Sequence, residues 1–242
     1  MATPLSEQIE YARALVNEIA RFGQLGEVDK MMACCDEVLA QFSTATEPAL
    51  GEAVARALFN TGITFTQLGR GPEAIAIYDN ILARFGSMAD PSLREAVANA
   101  LFYKGVTFGE LGHDEKAITA YDDVLARFGA ATEPALRGVT AKALVNKGNK
   151  LAELDRFEEA IATFNAMLAH YSVAREPALY ESVARALMSK GMALGDLGRS
   201  DDAIAVFDDV IAIFGRAEAE FFKRISKDAA RLRQEQLSAR KV

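Results

Sequence analysis

The side chains able to do chemistry are few and scattered. The chain has two histidines, His113 and His170. The first falls in a turn between helical patterns and the second near a helix end. No nucleophile elbow, phosphate-cradling glycine loop or zinc-ligand spacing accompanies them. The only cysteines, Cys34 and Cys35, are adjacent. Neighbouring helical residues point about 100° apart, so this pair makes neither an ordinary disulfide nor a good chelate. Such cysteine usage suits a reducing, cytoplasmic setting. The acidic pairs Glu158-Glu159 and Asp201-Asp202 stand where helices begin, and the positive end of the helix dipole accounts for them. The expectation is a protein without catalysis, metal or cofactor.

A different pattern recurs. The stretch Ala-Leu-Val-Asn-Lys-Gly-Asn-Lys at residues 143–150 has counterparts up and down the chain, because the sequence is periodic. Prolines at Pro48, Pro91, Pro134 and Pro177 stand 43 residues apart, and each opens a related segment such as PSLREAVANALFYKGVTFGELG. Leu25-Gly26 lies one period before Leu68-Gly69. The register gives five repeats at about 1–47, 48–90, 91–133, 134–176 and 177–215, the first divergent, with a tail at 216–242.

Each repeat holds two helical patterns. The first opens at the proline, which a helix tolerates in its first turn. In the third repeat its apolar positions Leu93, Val97, Leu101 and Phe108 keep 3–4 residue spacing or multiples of it. Gly112 lies near its end, where glycine commonly caps. A second helix follows over DEKAITAYDDVLARFG with Ala117, Tyr121, Val124 and Phe128 inward. No segment alternates with period two, so the fold class is all-α, with no sheet. A helix pair this small cannot bury its own apolar face, so the pairs must stack as a solenoid. The tail is one more amphipathic helix. Its stripe of Phe221, Phe222, Ile225 and Ala229 needs burial and makes it a cap over the last repeat; its basic residues offer the other reading, an arm for an acidic partner or membrane.

Bulk properties agree. Half of the 242 residues are hydrophobic and a quarter charged, and the net charge of −7 argues against nucleic acid as a partner. No apolar run approaches the roughly 18 residues of a membrane span, and the first residues lack the pattern of a secretory signal.

The repeat resembles the tetratricopeptide repeat. The slots of that family are filled in the second repeat by Leu58, Gly62, Phe65, Gly69, Ala74, Tyr78 and Ile81, and in the fourth by Leu144, Gly148, Leu151, Asp155, Ala160, Phe164 and Met167. Three departures stand out. The period exceeds the usual figure of about 34, and the added residues extend the first helix to about 20 residues, roughly 30 Å. The terminal proline of the family is replaced by Gly86, Gly129, Ser172 and Gly215. The first repeat is weak, with Ile19 for glycine, Met31 for alanine and Cys35 for the aromatic, which predicts a less well packed core there. Glycine inside a helix costs about 1 kcal/mol against alanine. Its return at Gly62, Gly105, Gly148 and Gly191 predicts close helix approach, with Ala74, Ala117, Ala160 and Ala203 as the small partners.

The resemblance implies protein–protein interaction and places the concave face on the first helices, opposite the core. Lines along that face run Arg13, Asn17, Ala20, Gln24; Arg56, Asn60, Ile63, Gln67; Asn99, Tyr103, Val106, Glu110; Lys142, Asn146, Asn149, Glu153; and Arg185, Ser189, Met192, Asp196. They form a basic rail and an amide or acidic rail about 16 Å apart at helical rise. Phe59, Phe102 and Met188 lie beside them. Asparagine offers an acceptor and two donors, so it can pair with a peptide group's N–H and C=O together. The resemblance carries that use to Asn17, Asn60 and Asn146. The carboxylate clamp of chaperone-binding relatives is not reproduced, because Val16 and Phe59 fill its lysine slot. The expected partner is therefore a peptide or protein segment in the groove, with neither nucleic acid nor membrane. The alternative is a homo-oligomer joined through the ends of the array. Lysine recurs before the glycine at Lys104, Lys147 and Lys190, predicting pairs Lys104–Asp122 and Lys190–Asp208 within a repeat and Lys147 against Asn165.

Overall fold

A computed structural model describes residues 3–171 and 176–239, which leaves Ser172, Arg240 and Lys241 outside the described residues. Among the described residues the chain forms eleven helices and no strand. In order they are α1 (Leu5–Leu25), α2 (Val28–Phe42), α3 (Pro48–Gln67), α4 (Gly71–Phe85), α5 (Pro91–Glu110), α6 (Asp114–Phe128), α7 (Pro134–Glu153), α8 (Phe157–Tyr171), α9 (Pro177–Asp196), α10 (Ser200–Phe214) and α11 (Glu220–Ala239). Helices α3, α5, α7 and α9 each start at a repeat proline and run 20 residues, as the long period requires. The fold is an all-α tetratricopeptide-like array of helix pairs. The coordinates divide into two compact units, Met1–Ala120 and Tyr121–Val242.

The turn between the helices of a pair has one recurring geometry. Gly26, Gly69, Gly112 and Gly198 sit at φ of 71–76°, the left-handed region that glycine enters without a Cβ penalty. Arg70 N–H donates to Phe65 O at 2.8 Å and Gly69 N–H to Thr66 O at 3.0 Å, satisfying carbonyls that the helix end leaves open. Asp155 takes the same conformation at φ 57° despite its side chain. His113 occupies the turn slot held elsewhere by Arg70, Arg156 and Arg199. Its ring lies 6.4 Å from that of Phe108, just as the Arg70 guanidinium lies 4.5 Å over Phe65. This histidine is a turn residue.

Within each pair the interlock differs from the expectation. A methyl added at Gly62 would lie 2.6 Å from Cε1 of Tyr78; at Gly148 it would lie 2.4 Å from Cε1 of Phe164, and at Gly191 2.5 Å from Cε1 of Phe207. The nearest neighbour of the glycine is therefore the fully buried aromatic ring of the second helix, ahead of the alanine. In the first pair the sizes are exchanged. Ile19 stands in the glycine slot and Cys35 in the aromatic slot, and both are buried, as is Met31 in the alanine slot. All three being buried to 1% exposure or less, the divergent first repeat is packed, contrary to the reading from its sequence. Burial pushes the Cys35 thiol above its ordinary pKa, away from the reactive thiolate.

The lysine pairing is likewise corrected. Lys104 Nζ lies 2.6 Å from Asp79 Oδ1, and Lys147 Nζ 2.6 Å from Asp122 Oδ1. Each lysine reaches the second helix of the preceding repeat, 25 residues back, because a first helix packs on that helix as well as on its own partner; α5 meets α4 and α9 meets α8 in this way. Asp208 is taken by Arg233 of α11 at 2.5 Å, again 25 residues apart. Helix α11 starts 43 residues after α9 and so keeps the register of a first helix. It packs on α10 and α9. Phe222 meets Tyr180 at 5.1 Å and stacks on Phe214 at 5.2 Å.

Helix α1 carries Glu7, Glu10, Tyr11 and Arg21 where α3 carries the buried Leu50, Ala53, Val54 and Thr64. These four α1 residues are exposed.

Candidate functional site

The candidate surface is built by the faces of the first helices that turn away from their second helices. In the unit Met1–Ala120 a cleft of about 310 Å³ opens between α3 and α5. Arg56 and Phe59 line it from α3, and Ser92, Glu95 and Asn99 from α5. Arg56 Nη1 stands 3.9 Å from Glu52 Oε1, so one cation and two carboxylates frame the cleft. Just beyond, Tyr103 meets Phe59 edge-on at 5.4 Å and Phe102 at 5.2 Å. Asn60 and Ile63 are half-buried on α3, and Arg13 and Asn17 are exposed on α1; none of these four lines the cleft.

In the unit Tyr121–Val242 a cleft of about 500 Å³ is formed by α7, α9 and α11. Asn146 and Asn149 line it from α7, and Arg185, Met188 and Ser189 from α9. Five of the residues expected from the sequence are thus brought together. Asn146, Asn149 and Ser189 are half-buried, and among the described residues their side chains have no hydrogen-bond partner within the chain. Amides in that state can pair with a ligand backbone without first giving up an internal bond. Lys142 and Met192 are exposed on the same helices, Met192 at 44%, and lie outside the cleft.

Two expectations need revision. Phe102 is only 8% exposed, so it supports Tyr103 from beneath and does not line the surface. The sequence reading also kept α11 outside the groove, as a cap or a separate basic arm. Phe221, Arg224, Ile225 and Asp228 form one wall of the second cleft, and the Arg185 guanidinium lies 5.2 Å over the Phe221 ring. The signal was present: α11 continues the 43-residue register, which places these four residues at the slots of Ser92, Glu95, Ala96 and Asn99. The missing proline obscured it.

No cluster of three or more His, Cys, Asp or Glu able to hold a metal occurs among the described residues, and no helix there is long and apolar enough to cross a membrane. The helix pairs and their glycine–aromatic interlock give the chain a tetratricopeptide-like fold. The family's model, described as tetratricopeptide repeat, matches residues 104–178 and 146–218. Solved structures agree at the level of fold. A tetratricopeptide repeat protein from Parabacteroides merdae is 15% identical with a TM-score of 0.62, covering 95% of this chain and 78% of that one. BtubC (BKLC) from P. vanneervenii is 17% identical with a TM-score of 0.64, covering 94% and 92%. The nearly identical tetratricopeptide-like repeats of a putative kinesin light chain from Podosopora anserina are 14% identical with a TM-score of 0.60, covering 86% and 97%. No curated protein sequence matches the chain. Tetratricopeptide repeats generally mediate protein–protein interaction, and proteins of this fold are typically non-enzymatic scaffolds.

Proposed function

We propose that the protein is an interaction scaffold whose first-helix faces hold an extended peptide or protein segment. The observation that carries this reading is the state of Asn146, Asn149 and Ser189: half-buried, lining a cleft, and without internal hydrogen-bond partners among the described residues. Such side chains can grip backbone N–H and C=O groups whatever the sequence of the segment. Apolar Met188 and Phe221 beside them supply contact area. The cytoplasmic setting inferred from the cysteines belongs to the same proposal. End-to-end self-association is the weaker reading, because the exposed face of α1 carries Glu7, Glu10 and Arg21 at slots that are buried in α3.

The test is a peptide array probed with the full chain, followed by calorimetry on the strongest binder. The double change Asn146→Ala and Asn149→Ala is expected to weaken that binder by about 1–3 kcal/mol, through peptide groups left unpaired. Unchanged affinity would refute the reading.

A further inference from the structure

The two clefts share a design and differ in charge. One edge of each is a first helix and the other is the first helix of the next register. In the first cleft Arg56 and Phe59 face Ser92, Glu95, Ala96 and Asn99. In the second, the same slots hold Arg185 and Met188 facing Phe221, Arg224, Ile225 and Asp228. Three periods therefore turn serine into phenylalanine, alanine into isoleucine and glutamate into arginine. The slot of Arg224 is occupied by Glu52, Glu95, Gly138 and Glu181 in the preceding first helices. Arg224 is thus the single cation in a slot otherwise acidic or empty from α3 onward, and it stands in the wall of a cleft. Arg185 and Arg224 are both exposed, and among the described residues neither makes an ion pair. Arg185 is held instead by its contact with Phe221, which orients a guanidinium without neutralising it.

We propose that the cleft of α7, α9 and α11 is selective for an acidic stretch of a protein partner that carries apolar residues between its carboxylates. This rests on the groove-binding reading given above. Arg185 and Arg224 meet the carboxylates, outnumbering the single opposing charge of Asp228. Met188, Phe221 and Ile225 take the apolar side chains, and Asn146 and Asn149 take the backbone. The first cleft, with Glu52 and Glu95 against one Arg56, lacks this preference. The choice of an acidic ligand runs against the chain's net charge of −7, so any preference for it must be local. Screening over about 8 Å at physiological salt makes a local field possible.

The experiment uses the full chain and three fluorescein-labelled nonapeptides that alternate leucine with glutamate, glutamine or lysine, read by fluorescence anisotropy. The glutamate peptide is expected to bind about five- to tenfold tighter than the glutamine peptide, the scale of one or two exposed ion pairs. Arg224→Glu, which restores the residue of the other slots, should bring that ratio to about one. Arg224 is exposed and makes no ion pair among the described residues, so the thermal melt should be unchanged. Arg185→Gln should lower the ratio in part. Equal binding of the glutamate and glutamine peptides by the wild type, or a ratio that Arg224→Glu leaves intact, overturns the proposal. If the glutamine peptide still weakens on Asn146→Ala, the groove reading survives that result; if no peptide binds, both fall. An oligothymidylate ten-mer bound as tightly as the glutamate peptide would also overturn it, since the cleft would then read charge alone.

Discussion

Replacing Gly148 by alanine tests the interlock that holds each helix pair together. In isolation the change favours the helix by about 1 kcal/mol. In the structure the new methyl would stand 2.4 Å from Cε1, 2.7 Å from Cζ and 2.9 Å from Cδ1 of Phe164. Carbon atoms in contact prefer about 3.5–4.0 Å, so the ring must retreat by more than roughly 1 Å. Phe164 is 0% exposed and its neighbours are close-packed, which leaves it little room. Overpacking of this kind costs about 1–3 kcal/mol, and a rigid ring met on several atoms falls in the upper half of that range. The net expectation is a loss of about 1–2 kcal/mol. The assay is urea unfolding followed by far-ultraviolet circular dichroism, on Gly148→Ala, Phe164→Leu and the pair together. The leucine vacates the space that the methyl enters, so the double variant should be more stable than the sum of the singles by about 1–2 kcal/mol. Gly138 supplies the control on the same helix. A methyl there meets nothing within 4 Å, and Gly138→Ala should stabilise by about 0.5–1 kcal/mol. If Gly148→Ala stabilises like Gly138→Ala, or if Phe164→Leu gives no relief, the small–aromatic interlock is wrong.

The turn before α8 gives a second prediction: Asp155, at φ 57°, should yield to glycine with a gain of about 0.5–1 kcal/mol in the same unfolding assay, since the other observed turns of this type use glycine. A third concerns Thr66, whose hydroxyl lies 3.1 Å from Tyr78 Oη and 3.0 Å from Thr107 Oγ1. Thr66→Val should cost about 1–3 kcal/mol by stranding the buried Tyr78 hydroxyl. Tyr78 also sets an alkaline limit. Burial pushes its pKa up to about 12 from the ordinary 10.0, so the unfolded chain ionises first. Its contribution is intact below about pH 10 and is lost as pH rises from there toward about 12. Tyr78→Phe should flatten the fall in melting temperature over that interval. Finally, Lys147→Met should change stability by less than about 1 kcal/mol, because Asp122 is half-exposed and the pair is screened by water; a larger loss would mean that the pair organises the contact between neighbouring repeats.

The repeat, its two helices and their lengths were legible in the sequence, because proline spacing and apolar periodicity are local and recur. Asparagine lines along the first helices were legible for the same reason: residues 3 and 4 apart must share a face. What the sequence alone left undecided were the contacts between helices. Lysine 147 has an asparagine at the expected slot of its own repeat and an aspartate one repeat back, and only the packing of α7 against what precedes it selects Asp122. Gly148 asks for a close neighbour, but alanine and phenylalanine in the facing helix both fit that request until the ring is seen to fill the gap. The first repeat looked poorly packed slot by slot, yet Ile19, Met31 and Cys35 are all buried, because the large side chain moves from the second helix to the first, a property no single position reveals. The wall that α11 lends to the second cleft depends on a helix that keeps the register without the opening proline. Local periodicity thus determined the elements and their faces, and the tertiary structure decided which face meets which, because helix packing is a relation between distant residues.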